Sequence, residues 1–466
     1  MKLSLSKLLN KPELVFVGVS ALFGLMSVFM MPILSAPDEA LHFLVEYGSL
    51  TGSSMPDDLI NHGYLYVDDV KSAIIDMSYF EKYFSIKDSI ANDGLGINII
   101  TNLTAWGDVK PSITDIDRLP QSLGIHLGRY LHPSEGTMVI IGRLANLFVY
   151  ITFLYLIIKK VKYGKWVFVY ISCLPIMIQQ AGSLSYDAIN SLVVFAWVAF
   201  IINLYSIGKN KQITKKLLIL GIITAILILL TKPSNILLFI MLLSLPMSLV
   251  IKPNIITNIK NLRFYKYYKI IALISISIIT FFVFVVFSQR LLAGQEFHPK
   301  RLLDVLLNTY IRGDNLLLID VTTNGMIGYF SNFYYHLPIW TVIIAFIVLI
   351  LIMLNEKLPN ASKKLALISG GIFIGSILVI SIGMYYAWAI RPDRLGPGAN
   401  VTDGIQGRYF TPLLVLLFPV FAYLQKYIKI VTNSSITIPI IVLSTNTFLL
   451  LLYIYQTWDY FWRSFF

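Results

Sequence analysis

The chain has little of what holds a soluble domain together. Its 466 residues include one cysteine, and only 13% are charged, against roughly 25% in an ordinary soluble domain. Cys173 lies in an apolar run without a second thiol to pair with, and no Cys or His residues have the spacing of a zinc site. Disulfides and structural zinc are therefore excluded as supports of the fold. We also find no internal repeat and no low-complexity stretch.

Long apolar runs are abundant instead, since 56% of the residues are hydrophobic. About 20 apolar residues in a helix suffice to cross the hydrocarbon core of a bilayer. We therefore predict an all-α integral membrane protein whose residues 1–466 form a single polytopic domain with about eleven transmembrane helices. The first run is longer than the apolar core of a usual signal peptide, and more runs follow, which disfavours a cleaved signal sequence. The predicted spans are residues 13–35, 138–158, 166–181, 187–206, 215–231, 235–251, 269–288, 338–354, 366–386, 409–425 and 435–456.

Lysine and arginine collect in alternate loops. Basic clusters follow the second, fourth, sixth, eighth and tenth predicted spans, and three lysines precede the first. The positive-inside rule places those loops and the N-terminus in the cytoplasm, as in a multi-pass protein of the cell membrane. The net charge of +12 is thus explained by topology signals. We expect the lipid bilayer as a partner, and no nucleic acid.

The opposite, extracytoplasmic face is predicted to carry the large loops. They cover residues 36–137, 288–337 and 388–406, and the first holds 15 of the 25 acidic residues but only 6 Lys or Arg. A connection of that length usually contains folded or ligand-binding structure. Within it, residues 64–75 and 76–90 look like short amphipathic helices, whereas residues 92–120 are polar and rich in turn formers.

Two adjacent carboxylates and an imidazole stand where the first apolar run meets water. A partly desolvated Asp38 or Glu39 could deprotonate an acceptor hydroxyl as a general base. Equally, Pro37 and the two acids could simply begin a helix, with the carboxylates near its positive end. His42 follows Asp38 by four residues, so on a helix it could orient or charge-pair that carboxylate.

Four motifs give the chain a wider resemblance. Residues 37–43 (PDEALHF) resemble the Pro-Asp-Glu-Pro-x-His-Phe signature of a family of uncharacterised bacterial polytopic membrane proteins. Residues 119–125 (LPQSLGI) with 141–146 (IGRLAN) are similar to that family's segment at its second span. Residues 180–190 (QAGSLSYDAIN) and 405–412 (IQGRYFTP) are similar to its Ser-x-Asp-Ala-x-Asn turn and its Gln-Gly-Arg-Tyr-x-x-Pro motif.

The layout of that family resembles the GT-C class of membrane glycosyltransferases. The resemblance implies a catalytic acid in the first extracytoplasmic loop and a sugar donor linked to polyprenyl phosphate. Two departures matter. Ala40 replaces the second proline of the signature, and residues 328–338 lack the Trp-Leu-Asp-Thr-like stretch expected before the eighth span, which leaves the contacts of that loop open.

With that resemblance, Arg408 at the mouth of the tenth span is a candidate for binding the donor phosphate, because a guanidinium can grip a phosphate with two hydrogen bonds. A snorkelling interfacial arginine is the alternative. Gln406 and Tyr409 are its expected companions. Lys232 joins them because it lies in an outer loop, where lysine is unusual.

Other polar residues have structural interpretations beside functional ones. Arg143 lies within the second span, where a charge costs at least about 2.5 kcal/mol, so we expect it to face the bundle interior with Asp187 or Asp38 as its partner. A structural ion pair is favoured over substrate contact. Asp187 and Asn190 could cap the fourth span, the favoured role, or line a pocket.

The function that these features predict is transfer of a sugar from a lipid-linked donor to a glycan or lipid acceptor of the cell envelope. Asp38, or alternatively Glu39, would be the base. Nothing in the spacing decides whether a divalent metal ion is needed, for instance between those two acids. A polysaccharide polymerase or ligase, an envelope-lipid transporter or flippase, and a non-catalytic assembly protein are the alternatives. Transport is disfavoured because transporters place ionisable groups near the midplane.

Overall fold

The structure, a computed structural model, is mostly helical in the residues that it describes. It describes residues 10–51, 67–88, 90, 116–207, 213–245, 299–312, 322–331, 335–428 and 434–463. The helices are α1 (Pro12–Met30), α2 (Glu39–Thr51), α3 (Val67–Ile75), α4 (Tyr79–Phe84), α5 (Leu119–Leu131), α6 (Glu135–Lys160), α7 (Lys165–Ser172), α8 (Pro175–Ala181), α9 (Asp187–Tyr205), α10 (Lys215–Leu230), α11 (Pro299–Tyr310), α12 (Ile339–Asn355), α13 (Lys363–Met384), α14 (Phe418–Leu424) and α15 (Ser434–Phe461).

Short elements join the helices. A two-stranded antiparallel ribbon pairs β1 (Tyr329–Phe330) with β2 (Tyr335–His336). A single π-helical turn follows α13 at Tyr385–Ala389. 3₁₀-helical segments lie at Ile116–Arg118, Pro233–Ser244, Gly407–Tyr409 and Pro412–Leu417.

Five helices of the described chain are long and apolar enough to cross a membrane. They are Pro12–Met30, Glu135–Lys160, Asp187–Tyr205, Lys363–Ala389 and Thr437–Phe461. Shorter apolar helical segments lie at Pro233–Ser244, Ile339–Asn355 and Pro412–Leu424. The prediction of an all-α membrane protein is confirmed at this level. The predicted count of eleven stays a prediction, and the span at 269–288 lies outside the described residues.

The third predicted span, residues 166–181, is two helices rather than one. Leu174 between α7 and α8 is extended (ψ 145°), and Pro175 opens α8. A proline cannot donate the intrahelical hydrogen bond and disfavours a helical conformation in the residue before it. The carbonyl of Ser172, left at the end of α7, accepts a hydrogen bond from the Tyr150 hydroxyl at 2.8 Å, so a helix break inside the core is satisfied by a side chain.

The basic loops gather at one end of the bundle. Lys165 at the start of α7 lies 3.7 Å from Glu13 at the start of α1. The Asn203 side chain near the end of α9 accepts from the backbone N–H of Lys162 at 2.9 Å. Lys426 after α14 donates to the carbonyl of Ala361 before α13. These contacts join the loop after the second predicted span to the start of α1 and the end of α9, and the loop after the tenth span to the loop after the eighth. The cytoplasmic position of the basic loops stays a prediction.

The described parts of the first long loop pack onto the bundle at the other end, where α1 ends. Both predicted helical pieces contain a helix, α3 and α4, and α2 and α5 flank them. Helix α5 packs against α6 through glycines: a Cβ on Gly124 would lie 2.6 Å from the Ile141 carbonyl oxygen, and one on Gly128 would lie 2.7 Å from Met138 Cα. Such Gly-xxx-Gly spacing lets helix backbones approach closely. Residues 92–115 of the turn-rich piece lie outside the described residues.

The contact between α5 and α6 gives a first prediction. Gly124→Ala should lower the free energy of unfolding by about 1–3 kcal/mol, the usual cost of forcing extra atoms into a packed interface. Gly371→Ala in α13 is the matched control, because a Cβ there meets nothing within 4 Å. Thermal unfolding of the detergent-solubilised variants would measure both. Equal melting temperatures for the two variants would contradict the close approach of α5 and α6.

Candidate functional site

A buried ion pair joins the motifs at the end of the bundle where α1 stops. Arg143 Nε donates to Glu39 Oε1 at 2.8 Å and Nη2 donates to Glu39 Oε2 at 2.6 Å, and neither side chain is exposed to solvent. The same guanidinium donates to the carbonyls of Val28, Met31 and Pro32 at 2.7–2.9 Å. All five N–H donors of an arginine are therefore used, partly to satisfy the carbonyls at the end of α1.

This pairing corrects two expectations. The partner of Arg143 is Glu39, not Asp187 or Asp38, because Glu39 begins α2 directly above the turn that Arg143 holds. Glu39 also accepts from the backbone N–H groups of Leu184 and Ala36 at 3.2 and 3.3 Å. A fully buried carboxylate with both oxygens committed cannot easily take a substrate proton, and it does not fit a shared metal site with Asp38.

Asp38, the residue before Glu39, is placed differently. Its side chain is 42% exposed, and its backbone is left-handed (φ 58°), a conformation that aspartate tolerates better than most residues. The carboxylate forms an ion pair with Nη2 of Arg408. Asp38 is thus an accessible carboxylate next to a nearly buried guanidinium.

Arg408 is held from several sides. Its Nη1 donates to the Pro37 carbonyl at 3.1 Å and to Gln180 Oε1 at 3.4 Å, and its Nε lies 3.6 Å from Asp187 Oδ2. The neighbouring Gly407 packs backbone to backbone on residues 322–326, where a Cβ would come within 2.3 Å of three backbone atoms. The glycine of the Gln-Gly-Arg-Tyr motif therefore sets the position of the arginine.

Lys232 closes the other side of Asp187, to which it forms an ion pair through Oδ1. Its ammonium also lies 4.5 Å from the centre of the Tyr409 ring, within the range of a cation–π interaction. Asn190 accepts from Asn235 Nδ2 at 2.5 Å, so its amide joins α9 to the 3₁₀ segment after α10. Among the described residues the Asp187 side chain forms no capping hydrogen bond to α9, and it pairs instead with the cations of Lys232 and Arg408. The favoured capping role of Asp187 is therefore wrong.

Two residues of the site were missed from the sequence. The guanidinium carbon of Arg118 lies 4.7 Å from the centre of the Tyr186 ring, and the Lys232 ammonium lies 5.1 Å from the same centre. Burial raises the pKa of the Tyr186 hydroxyl well above its usual value, so the ring is a neutral platform between cations. A basic residue directly before the LPQSLGI motif, within an acidic loop, was the available signal for Arg118.

His42 also packs on Tyr186, edge to face with ring centres 5.1 Å apart. Burial lowers the pKa of His42 from 6.5 to about 3; the charge of Arg118 acts in the same direction, and Asp38 opposes it. The imidazole is therefore neutral at physiological pH. A neutral ring cannot form the charge pair with Asp38 that the i, i+4 spacing suggested, and its role is limited to packing or to a hydrogen bond.

The remaining motifs support the same region through amide side chains. Asn146 Nδ2 donates to the carbonyls of Gln180, Ser183 and Ser185 at 2.8–3.1 Å. Gln121 Nε2 donates to Asn146 Oδ1 and to the Ser185 carbonyl, both at 3.1 Å. These bonds fix the turn that leads into Asp187. All four motifs of the sequence thus meet in one place.

The cluster of Arg408, Lys232, Arg118, Asp38 and Asp187, called here the cation cluster, has unsatisfied donors. Arg118 Nη1 and Arg408 Nε are buried without a hydrogen-bond partner among the described residues. Buried donors are nearly always paired in folded proteins. Arg408 Nε already faces the Asp187 carboxylate at 3.6 Å, so Arg118 Nη1 is the donor that calls for an acceptor from outside. An anionic oxygen, as in a phosphate, is the acceptor that arginine binds best. Within the described part of the chain, no three His, Cys, Asp or Glu residues form a group suited to a metal ion.

The helices and the site define a polytopic helical membrane protein with a polar cluster at one end. Residues 21–417 match the sequence model of a protein family that is described as "Predicted membrane protein (DUF2142)". The chain belongs to this family. The matched region includes every motif and every residue of the cation cluster. No curated protein and no solved structure matches the chain.

The Glu39–Arg143 pair gives a second prediction, about stability. Arg143→Met should lower the free energy of unfolding by about 3–5 kcal/mol, because it leaves the Glu39 carboxylate buried without a counter-charge. The double variant Glu39→Gln with Arg143→Met should recover part of that loss. Asp38→Asn, which removes a half-exposed carboxylate one residue away, is the control and should cost far less. Thermal unfolding in detergent tests all three, and a single variant as stable as Asp38→Asn would contradict a structural role.

The lowered pKa of His42 gives a third prediction. Since the folded protein binds this proton less well than the unfolded chain, the stabilisation is complete above pH 6.5 and is lost as the pH falls toward about 3. The wild type should therefore lose more stability between pH 7 and pH 5 than His42→Asn does. Melting temperatures of both proteins at the two pH values measure the difference, and identical losses would show that His42 is not buried in the neutral form.

Proposed function

We propose that this protein is a membrane glycosyltransferase of GT-C-like type that moves a sugar from a polyprenyl-phosphate donor to a glycan or lipid acceptor of the cell envelope. The observation that carries this proposal is the buried, unpaired Nη1 of Arg118 together with the nearly buried Arg408 guanidinium beside the accessible Asp38. A phosphate-binding cluster next to a half-exposed carboxylate supplies both a leaving-group site and a base. The extracytoplasmic position of the site belongs to the proposal, since it follows from the distribution of basic loops.

The ion pair between Asp38 and Arg408 has a direct part in this proposal. Arg408 is 4% exposed and Asp38 is 42% exposed, so the arginine is the fixed member and the carboxylate faces the space where substrates would enter. A donor phosphate that binds Arg408 would compete with Asp38 for the guanidinium. Binding of the donor would thereby release the carboxylate close to the anomeric carbon, and the base would become available only when the donor is present.

The proposed chemical step makes one bond at the anomeric carbon of the sugar and breaks another. The acceptor hydroxyl oxygen forms a bond to the anomeric carbon while its proton passes to the Asp38 carboxylate. The bond between that carbon and the phosphate oxygen breaks, and the electron pair leaves with the lipid phosphate. Arg408, Lys232 and Arg118 stabilise the charge that accumulates on the departing oxygen. Gln406 lies two residues before Arg408 in sequence, and its Oε1 is buried without a hydrogen-bond partner in the described chain. That oxygen can accept from a sugar hydroxyl.

The location of the cluster favours transfer over transport. Asp38 follows the end of α1, Asp187 begins α9, and Lys232 follows the end of α10. Charged groups of a transporter are expected near the bilayer midplane and along a pathway. A polymerase or ligase that uses lipid-linked glycans would need the same phosphate cluster, and the acceptor is what would distinguish it.

The fourth prediction concerns activity in cells. In cells that lack this protein, the wild-type gene should restore a sugar of the envelope glycans, and Asp38→Asn at a matched membrane level should reduce its transfer by about 10²–10⁴-fold, the usual contribution of a general base. Arg408→Lys keeps the positive charge but loses the paired hydrogen-bond geometry of the guanidinium, so it should also fail to restore the sugar. Sugar composition of the purified envelope polymers is the measurement.

Asp393→Asn is the matched control, because Asp393 is an exposed acid paired with Arg391 outside the cation cluster. It should restore the glycan fully. Full restoration by Asp38→Asn would show that Asp38 is not the base. An unchanged glycan profile in the deletion strain would overturn the transferase proposal and favour an assembly or transport role.

A further inference from the structure

An apolar cavity runs between three helices beside the cation cluster. Its volume is about 390 Å³, and its walls come from α6, α9 and α10, with residues 116–120 over one end. Ile189 and Asn203 both line it, and 14 helical residues correspond to roughly 21 Å along α9 at about 1.5 Å per residue. The cavity is therefore an elongated groove along the helices, referred to below as the α9 groove.

One end of the α9 groove lies near the cation cluster. Thr231 lines the groove and directly precedes Lys232 in the chain. Ile116 also lines it and lies two residues before Arg118, while Ile189 lies two residues after Asp187. Three wall residues from three different elements are thus adjacent to three charged residues of the cluster. The end of the groove and the cluster are therefore neighbours in the fold, although the charged side chains themselves do not line the cavity.

Apart from Lys160 at its far end, the groove offers a ligand no free polar side chain. The hydroxyls of Thr224 and Thr231 donate to the carbonyls of Leu220 and Leu227 in their own helix. Asn203 at the far end has both halves of its amide bonded, to the N–H of Lys162 and to the Lys160 carbonyl. Every other wall side chain is apolar, apart from Lys160 at the same far end. A molecule in this groove can be held only through hydrocarbon contacts.

We infer that the α9 groove binds the isoprenoid chain of the lipid phosphate whose phosphate is held by Arg408, Lys232 and Arg118. The inference rests on the proposed function for the identity of the phosphate ligand, but the groove itself is independent of any transfer chemistry. Binding of a lipid phosphate explains why the apolar α9 groove ends near buried guanidinium donors. It also makes Arg118 and Lys232 the residues at the junction of head and chain, and Ile223 and Ala196 contacts of the chain.

Binding of lipid monophosphates to the purified full-length protein in nanodiscs tests the inference without requiring turnover. The probes are a long-chain isoprenoid monophosphate, a ten-carbon isoprenoid monophosphate with the same head, and a diacyl phosphatidic acid. The long isoprenoid should bind at least 10-fold more tightly than the short one. Arg118→Gln should weaken the binding of both isoprenoids, because both use the head site.

A matched pair of variants on α10 isolates the groove. Ile222 and Ile223 are adjacent and similarly exposed, at 52% and 49%, but only Ile223 lines the cavity. Ile223→Trp should remove most of the advantage of the long chain and leave the short probe unchanged, whereas Ile222→Trp should change neither. Ala196→Phe, which fills the groove from α9, should reproduce the effect of Ile223→Trp. Melting temperatures confirm that each variant is folded.

The outcomes separate the two proposals. The inference that the groove binds the isoprenoid chain would be overturned if Ile222→Trp and Ile223→Trp had equal effects, or if long and short chains bound with equal affinity. This holds even if sugar transfer is found. Phosphatidic acid binding as tightly as the long isoprenoid would overturn the assignment of an isoprenoid chain. Chain-length-dependent binding that Ile223→Trp abolishes, in a protein that transfers no sugar, would uphold the groove and refute the transferase.

Discussion

The rest of the site depends on the ion pair between Glu39 and Arg143. Two charges removed from water are costly unless each is fully compensated, and here the compensation ties together separate parts of the chain. Arg143 binds the carbonyl groups at the end of α1. Glu39 begins α2 and accepts a hydrogen bond from the turn at Leu184. Asp38 is one residue from this anchor, so its position is set by a contact in which it takes no part.

This arrangement gives the two adjacent acids different roles. Glu39 is committed to structure and Asp38 is left accessible, although the sequence presents them as equivalent neighbours. The left-handed backbone at Asp38 turns its side chain away from the buried pair and toward Arg408. A rigid anchor next to a half-exposed carboxylate is the kind of support that a reacting group needs if it is to be held in one geometry.

Much of the fold could be predicted from hydropathy, and the failures have physical causes. Long apolar runs such as 138–158 and 187–206 coincide with α6 and α9, because a helix is the only spanning structure that satisfies its own backbone bonds. The run 166–181 looks continuous in hydropathy, but Pro175 divides it. Composition alone cannot fix the number of spans when several apolar segments are shorter than a bilayer is thick.

The site was predictable as a set of residues, but not as a set of contacts. Asp38, Arg408, Asp187 and Lys232 each stand out in the sequence, and the structure brings them together. The predicted partner of Arg143 was wrong because the sequence does not show which of two adjacent acids will face the arginine before the turn geometry is known. Arg118 was missed because its only sequence signal, a basic residue directly before the LPQSLGI motif in an acidic loop, does not show which residues it will contact once the loop is folded onto the bundle.

The single cysteine has a practical consequence. Cys173 is the only thiol in the chain, and it is completely buried at the break between α7 and α8. A thiol reagent should not reach it while the bundle is intact. Cysteines introduced near Asp38 or along α10 can therefore carry spectroscopic labels in the otherwise natural sequence, and slow modification of Cys173 itself would report opening of the bundle.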